Sequence, residues 1–287
     1  MSLFGYVSPR SIDEVVAYLA SNPQARPLAG GHTLLLDANR SRIAGSVLVD
    51  LRKIDSLTRV QSLPDGSLKI GATTTLAALA ESAVVREHAP ALADAALLVG
   101  DAQVRNRATV AGNIAASDPG ADLPPVLLVL NARIQILGPQ GSREITADEF
   151  FHASSALAVG RDELIVSIII PAIGERAGAA YEKLKHPATL FALCGVAAAV
   201  QVAPDGTVGD VRVAVTGASA LPTRLSVVEQ SLKGKPANEA SLTAAARTED
   251  GKLNLITDLF ASAEYRGHLT RVLTERALKR AIATATA

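Results

Sequence analysis

Two adjacent glycines, Gly30 and Gly31, stand between a short extended segment, residues 25–28, and a helix-forming one, residues 34–38. No other stretch narrows the fold as much. Glycine pairs let the backbone turn tightly and present successive N–H groups on one side. Upstream, Ser11-Ile12-Asp13-Glu14 reads as a capping box, with Ser11 as the cap and Glu14 reaching back. Ile12, Val15, Val16 and Leu19 then repeat at helical spacing, and Asn22-Pro23 ends that helix. A strand over 47–51 follows the glycines. The spacing predicts a βαβ-like unit over residues 1–56 with its glycines at the strand-to-helix turn.

A second unit is expected over 57–175. Pro64-Asp65-Gly66 is a hairpin turn between strands at 59–62 and 68–72. Residues 74–81 and 91–99 read as helices rich in Ala and Leu. Residues 106–122, dense in Gly, Asn, Ser, Asp and Pro, read as a long loop, and long polar loops inside compact domains are usually functional. Strands at 127–137 and 163–170 complete the unit. A third unit, 176–287, carries strands at 191–202 and 208–216 and helices at 225–232, 241–247 and 263–283. In the last helix Leu269, Val272, Leu273, Arg276, Leu278 and Ile282 form a mixed apolar stripe. The fold class is α+β.

The glycines also suggest chemistry. A turn that opens a helix places orphan N–H donors and the positive end of the helix dipole at one point, which suits a phosphate. Thr33 adds a hydroxyl. The segment Thr109-Val110-Ala111-Gly112-Asn113 is similar in kind, with Thr109 and Asn113 as donors and acceptors and Asp118 and Asp122 within reach of sugar hydroxyls. By itself the first stretch is equally an ordinary turn, and the second a structural loop. Together, in adjacent units, they suit a diphosphate-bridged dinucleotide in the crevice between them. Lys183 and Lys185 stand where the chain would cross that crevice; one of them could offset negative charge on a reduced flavin or a phosphate, or both could cap a solvated strand end. Phe191 could shield one face of a planar ring or fill a core.

Other chemistries lack their residues. The sequence holds no GxGxxG and no Walker A motif, and its five histidines show no metal-ligand spacing. Its one cysteine, Cys194, excludes a disulfide, zinc or iron–sulfur site within the chain. Cys194 lies in the apolar run 191–200 and reads as a buried thiol. A formal net charge of zero argues against nucleic-acid binding. Without a signal peptide or an apolar run long enough to span a bilayer, the expected compartment is the cytoplasm.

Four blocks carry a resemblance: Ala29 to Leu35 (AGGHTLL), TVAGNIAASDPGAD from Thr109, YEKLKHPATLFALCGVA from Tyr181, and DLFASAEYRGHLTRVLTERAL from Asp258. In this order they resemble the FAD-binding medium subunit of aerobic carbon monoxide dehydrogenase and its relatives in the xanthine dehydrogenase family. The resemblance covers nearly the whole chain. It implies a two-subdomain FAD-binding domain of the vanillyl-alcohol-oxidase type, followed by a C-terminal α+β domain like that of the carbon monoxide dehydrogenase flavoprotein. It implies FAD contacts from Ala29, Gly30, Gly31, His32, Thr33, Leu34 and Leu35, and from Thr109, Ala111, Gly112 and Asn113. Asp118 and Asp122 follow in the same loop, with Asp122 matching a flavin-contacting aspartate. Gly100 and Ile165 fall at or near positions that line the flavin. Lys183 or Lys185 matches a lysine near the isoalloxazine, and Phe191 a position often aromatic.

The chain departs from this pattern in three places. Ala111 stands where a first glycine is common, which is tolerable if its φ is negative. His186-Pro187-Ala188 replaces an arginine followed by an acidic residue. The single cysteine excludes the 4Fe–4S loop that some relatives insert. The resemblance further implies a large partner subunit with a molybdenum cofactor and a small one with 2Fe–2S clusters, assembled as a dimer of heterotrimers. This chain would then be the electron-transfer subunit of an FAD-dependent oxidoreductase heterohexamer, with no catalytic acid, base or nucleophile of its own. The alternatives are a free-standing FAD oxidoreductase of the same fold and a cofactor-free assembly scaffold.

Overall fold

A computed structural model describes residues 5–39, 44–152, 158–248 and 253–286. Ser11 caps the first helix as its sequence spells out. Its Oγ accepts from the Glu14 amide at 3.2 Å, and the Glu14 carboxylate accepts from the amide of Arg10 at 2.8 Å, one residue before the cap. That helix, α1 (Ile12–Ser21), buries Val15, Val16 and Leu19. It links β1 (Gly5–Val7) to β2 (Ala25–Leu28), and α2 (Leu34–Asn39) leads on to β3 (Val47–Asp50). The three strands form a parallel sheet in the order β1-β3-β2. The glycine turn therefore leaves the sheet at the carboxyl end of β2, where open parallel sheets place their ligands.

A second, antiparallel sheet has the order β4-β5-β8-β6-β7. Its strands are β4 (Val60–Ser62), β5 (Leu68–Gly71), β6 (Arg133–Gly138), β7 (Gly141–Thr146) and β8 (Leu164–Ile170). Between β5 and β6 run α3 (Leu76–Glu81), α4 (Ala83–His88), α5 (Pro90–Leu97), α6 (Ala102–Arg105), α7 (Val110–Ala115) and α8 (Leu123–Val129). A further helix, α9 (Ala147–His152), follows β7. Two sequence expectations fail in this unit.

Residues 127–137 are not one strand. The chain is helical over Leu123–Val129, turns at Asn131 with φ +53°, and becomes extended only at Arg133. Every residue of α8 is buried, so it shows no periodicity to distinguish helix from strand. Pro124 and Pro125 fit its first turn, where a missing N–H breaks no helical bond. Nor are residues 106–122 all loop. Thr109 caps α7, and Val110 and Ile114 bury one side of it. Six residues are too few to hold a helix by propensity, so the cap and this burial supply its stability.

The third sheet is an antiparallel run in the order β12-β11-β10-β9. It comprises β9 (Ala177–Lys185), β10 (Ala192–Val202), β11 (Val208–Thr216) and β12 (Thr223–Arg224). Against it lie α10 (Ser226–Leu232), α11 (Glu239–Ala246) and the long α12 (Ala263–Ala285). Leu269, Leu273, Ala277, Leu278 and Ala281 make the buried seam of α12, while Arg276 of the expected stripe faces solvent. Cys194 is buried in this core, 3.6 Å from the Thr270 hydroxyl, and burial pushes its thiol up to about 11. The first two units share one hydrophobic core, which Ala179, Tyr181, Ala197 and Ala214 also join, and other buried residues of the third form a second. Among the described residues no helix is long and apolar enough to cross a membrane.

Candidate functional site

The two glycine stretches meet backbone to backbone. A Cβ built on Gly30 would lie 2.1 Å from the carbonyl oxygen of Arg107 and 3.1 Å from Cα of Ala108, so only glycine fits there. Gly31 adopts φ +83°. The Leu35 amide donates to Gly31 O, and the Leu36 amide to Thr33 O. Among the described residues, nothing accepts from the amides of Gly31, His32 and Thr33. His32 and Thr33 are exposed, Ala29 is half-buried against the main core, and Leu34 packs on Leu28 and Leu48. Leu35 is exposed. Consecutive unpartnered amides at a glycine turn opening a helix form a concave donor set for an anion, and they fit the diphosphate of a dinucleotide.

The second stretch works differently. Its Val110 amide donates to Thr74 O, Ala111 to Ala72 O, Gly112 to the Thr109 hydroxyl and Asn113 to Thr109 O. The first turn of α7 therefore has no amide left for a phosphate. The exposed surface of Gly112 and the side chains of Thr109 and Asn113 are what it offers. The Asn113 side-chain oxygen lies 3.4 Å from the Leu123 amide, which ties α7 to α8. Ala111 is helical, so its methyl group meets no backbone strain.

Gly100, at φ +49°, ends the wall formed by α5. Asp101 caps α6, and the Arg105 guanidinium donates to the carbonyls of Val99 and Gly100 at 3.1 Å each. Ile165 is part of the main core and only 7% exposed. Asp118 turns its chain by accepting from the Gly120 amide at 2.8 Å. Phe191 is 46% exposed and lies over Gly120, where an added methyl group would come within 3.2 Å of the Phe191 Cβ. Lys185 is exposed at the end of β9.

Asp122 and Lys183 form a buried pair. The Lys183 ammonium donates to Asp122 Oδ2 at 2.8 Å, to Leu190 O at 2.8 Å and to Leu98 O at 3.0 Å. The other Asp122 oxygen accepts from the Tyr181 hydroxyl at 2.6 Å. Burial pushes the Asp122 carboxyl up to about 6, against the pull of Lys183 and Tyr181. Burial also draws Lys183 down from the ordinary lysine value, and Asp122 opposes it. Tyr181 is held protonated by burial and by the neighbouring carboxylate.

The third unit grips loop 118–122 at further points. The Thr216 hydroxyl lies 2.8 and 2.9 Å from the carbonyls of Pro119 and Ala121. Gly217 N donates to Pro119 O, and Ala192 N to Gly120 O. Arg266, buried at the start of α12, holds Leu193 O and Gly217 O and pairs with Asp258. Sequence reasoning missed Tyr181, Thr216 and Arg266. Tyr181 had a usable signal: it stands two residues before Lys183 on one strand, which puts both side chains on one face.

Residues 2–173 match the family described as the FAD binding domain in molybdopterin dehydrogenase, and residues 179–281 match the carbon monoxide dehydrogenase flavoprotein C-terminal domain. The glyceraldehyde dehydrogenase medium chain of Sulfolobus acidocaldarius is 30% identical, over 96% of this chain and 97% of its own. The carbon monoxide dehydrogenase medium chain of Hydrogenophaga pseudoflava is 33% identical, over 97% and 96%. A solved structure of that organism's carbon monoxide dehydrogenase, in a form lacking the Mo-pyranopterin moiety, superimposes with TM-score 0.92 at 34% identity, over 98% of both chains.

Proposed function

This chain belongs to the family of FAD-binding subunits of molybdopterin dehydrogenases, and from that premise we propose that it is the flavoprotein electron-transfer subunit of a multi-subunit molybdenum-containing dehydrogenase. A large partner subunit with the molybdenum cofactor oxidises the substrate, and a small one with 2Fe–2S clusters relays the electrons. When bound, FAD supplies the redox exchange between those clusters and an external acceptor. The relatives are named for substrates as different as glyceraldehyde and carbon monoxide, in keeping with substrate choice by a partner subunit. We propose a dimer of heterotrimers in the cytoplasm. We place the unit boundaries at 56/57 and 175/176.

The observation that carries this reading is the donor set at Gly31, His32 and Thr33, opposite a second stretch whose own amides are engaged. The first stretch binds the diphosphate. Gly30 lets Arg107 and Ala108 close against it. Thr109, Gly112 and Asn113, with Asp118 nearby, face the sugar region. Gly100 and Phe191 flank the ring system, and Lys185 supplies an exposed cation. Ile165 supports from within the core.

Purification of the native complex tests the reading. The complex should be yellow, release FAD on denaturation, and contain molybdenum and iron in two co-purifying subunits. A colourless chain that takes up no FAD would sink it. Flavin reduction by a small organic substrate with the chain alone would favour the free-standing oxidoreductase.

A further inference from the structure

Lys183 has three N–H donors, and all three have protein acceptors on three separate segments: Leu98 after α5, Asp122 before α8, and Leu190 in the turn between β9 and β10. Its side chain is 1% exposed and that of Asp122 is 2%. An ammonium so engaged has no proton left for a ligand. Tyr181 adds a second fastening on Asp122 from the same face of β9. Gly195, the register partner of Lys183 on β10, makes room for that phenol: a Cβ there would lie 2.2 Å from the Tyr181 hydroxyl oxygen.

The segments tied together are the ones expected to wall the flavin. Leu98 precedes Gly100, Leu190 precedes Phe191, and Asp122 closes the loop that follows Asn113. Leu190 is held at φ +62° beside its carbonyl bond to Lys183, so this turn keeps its shape under constraint. Lys183 is drawn from the third unit and its acceptors Leu98 and Asp122 from the second, so the tie crosses the unit boundary.

We infer that Lys183 is a positioning residue, a buried three-way tie that sets the separation of the Leu98, Asp122 and Leu190 segments, with Tyr181 as its second fastening and Gly195 as the position that admits Tyr181. This inference rests on the FAD reading above for its consequence, though the tie itself does not need a cofactor. It reassigns the lysine expected beside the isoalloxazine: Lys183 acts through the walls of the crevice.

Two variants of the full chain, purified with and without added FAD, test this. Tyr181→Phe deletes one hydroxyl and keeps the ring. Lys183→Met removes the tie and the charge. Melting temperature of the FAD-free chain, rate of FAD release and midpoint potential of the bound flavin are measured for each. Tyr181→Phe should lower the FAD-free melting temperature by about 3–6 °C, since it removes one hydrogen bond to a buried charge. It should also speed FAD release roughly tenfold. Lys183→Met should do more of both, and the flavin it retains should keep the wild-type potential. Adding Asp122→Leu to Lys183→Met should recover part of the melting temperature, because no buried charge is then left unpaired. A lowered flavin potential in Lys183→Met with an unchanged FAD-free melting temperature overturns the inference in favour of a direct charge role. So does a Tyr181→Phe chain indistinguishable from wild type in both melting and release. If wild type takes up no FAD, the functional reading fails, while the melting temperatures still decide whether the tie exists.

Discussion

The hydroxyl of Tyr6, on the first strand, donates to the carboxylate of Asp50 at the end of the third, closing a contact between residues 44 apart in the chain. Arg52 takes the same carboxylate through its backbone amide and its guanidinium, at 2.7–3.0 Å. Burial alone would raise this carboxyl, yet Arg52 and Tyr6 hold it near 2 against an ordinary value of 3.8. A carboxyl with a depressed folded-state value adds stability above its unfolded value and loses it as the pH falls through the folded one. Between 3.8 and about 2 the chain should therefore lose about 2 kcal/mol through Asp50. Denaturant titrations at pH 2, 4 and 7 should show that Asp50→Asn costs about that much at pH 7 and much less at pH 2.

Asp122 titrates in the opposite sense. Its folded value, about 6, lies above the unfolded 3.8. Such a group favours the folded state fully below 3.8, and that contribution is lost as the pH rises through 6. Asp122→Asn should remove this slope between pH 4 and 6. A wild-type slope retained in the variant would show that another group causes it.

Gly30→Ala should fold poorly or release FAD, because its Cβ would overlap the Arg107 carbonyl at 2.1 Å, a contact neither backbone can relieve. Overpacking of this kind costs about 1–3 kcal/mol or more. Gly45→Ala is the matched control. It adopts φ +77° but has open space around it, so it should lose only about 1 kcal/mol to backbone strain. FAD content after gel filtration separates the two: loss in the first and retention in the second is expected.

Thr109→Val should destabilise α7 by about 1 kcal/mol, since it removes the oxygen that accepts from the Gly112 amide. Gly112→Ala should act through the same contact, with its Cβ 2.8 Å from the Thr109 hydroxyl oxygen. Ala111→Gly should not raise FAD occupancy, and should cost about 0.5–1 kcal/mol as a glycine inside a helix. Calorimetry on the three variants gives these values directly. An Ala111→Gly chain that binds FAD more tightly would overturn the account of this stretch.

How far these features could be read in advance depended on the local signal. The capping box at Ser11 and the turn at Pro64 stated their structures plainly, and the elements around them fell where the spacing put them. The segment from Leu123 was unreadable because burial on every side erases periodicity. The strand β1 is three residues long, too short for any pattern. For the site, Gly30 and Gly31 were legible as a turn, but only the partners of each amide distinguished the open donor set at 31–33 from the closed one at 110–113. Lys183 was legible as a candidate. Its three acceptors were not, since two are backbone carbonyls and the third is a side chain 61 residues away.

The grip of the third unit on loop 118–122 sets an order on the making of the protein. Thr216 reaches back 97 residues to the Pro119 carbonyl, and Gly217 and Ala192 supply amides to the same loop. A growing chain halted before Ala192 has already produced both glycine stretches, and still lacks the groups that close the loop beside them. The surface meant for the cofactor is written in the first half of the chain and finished in the second, so synthesis and completion of the site run on different clocks.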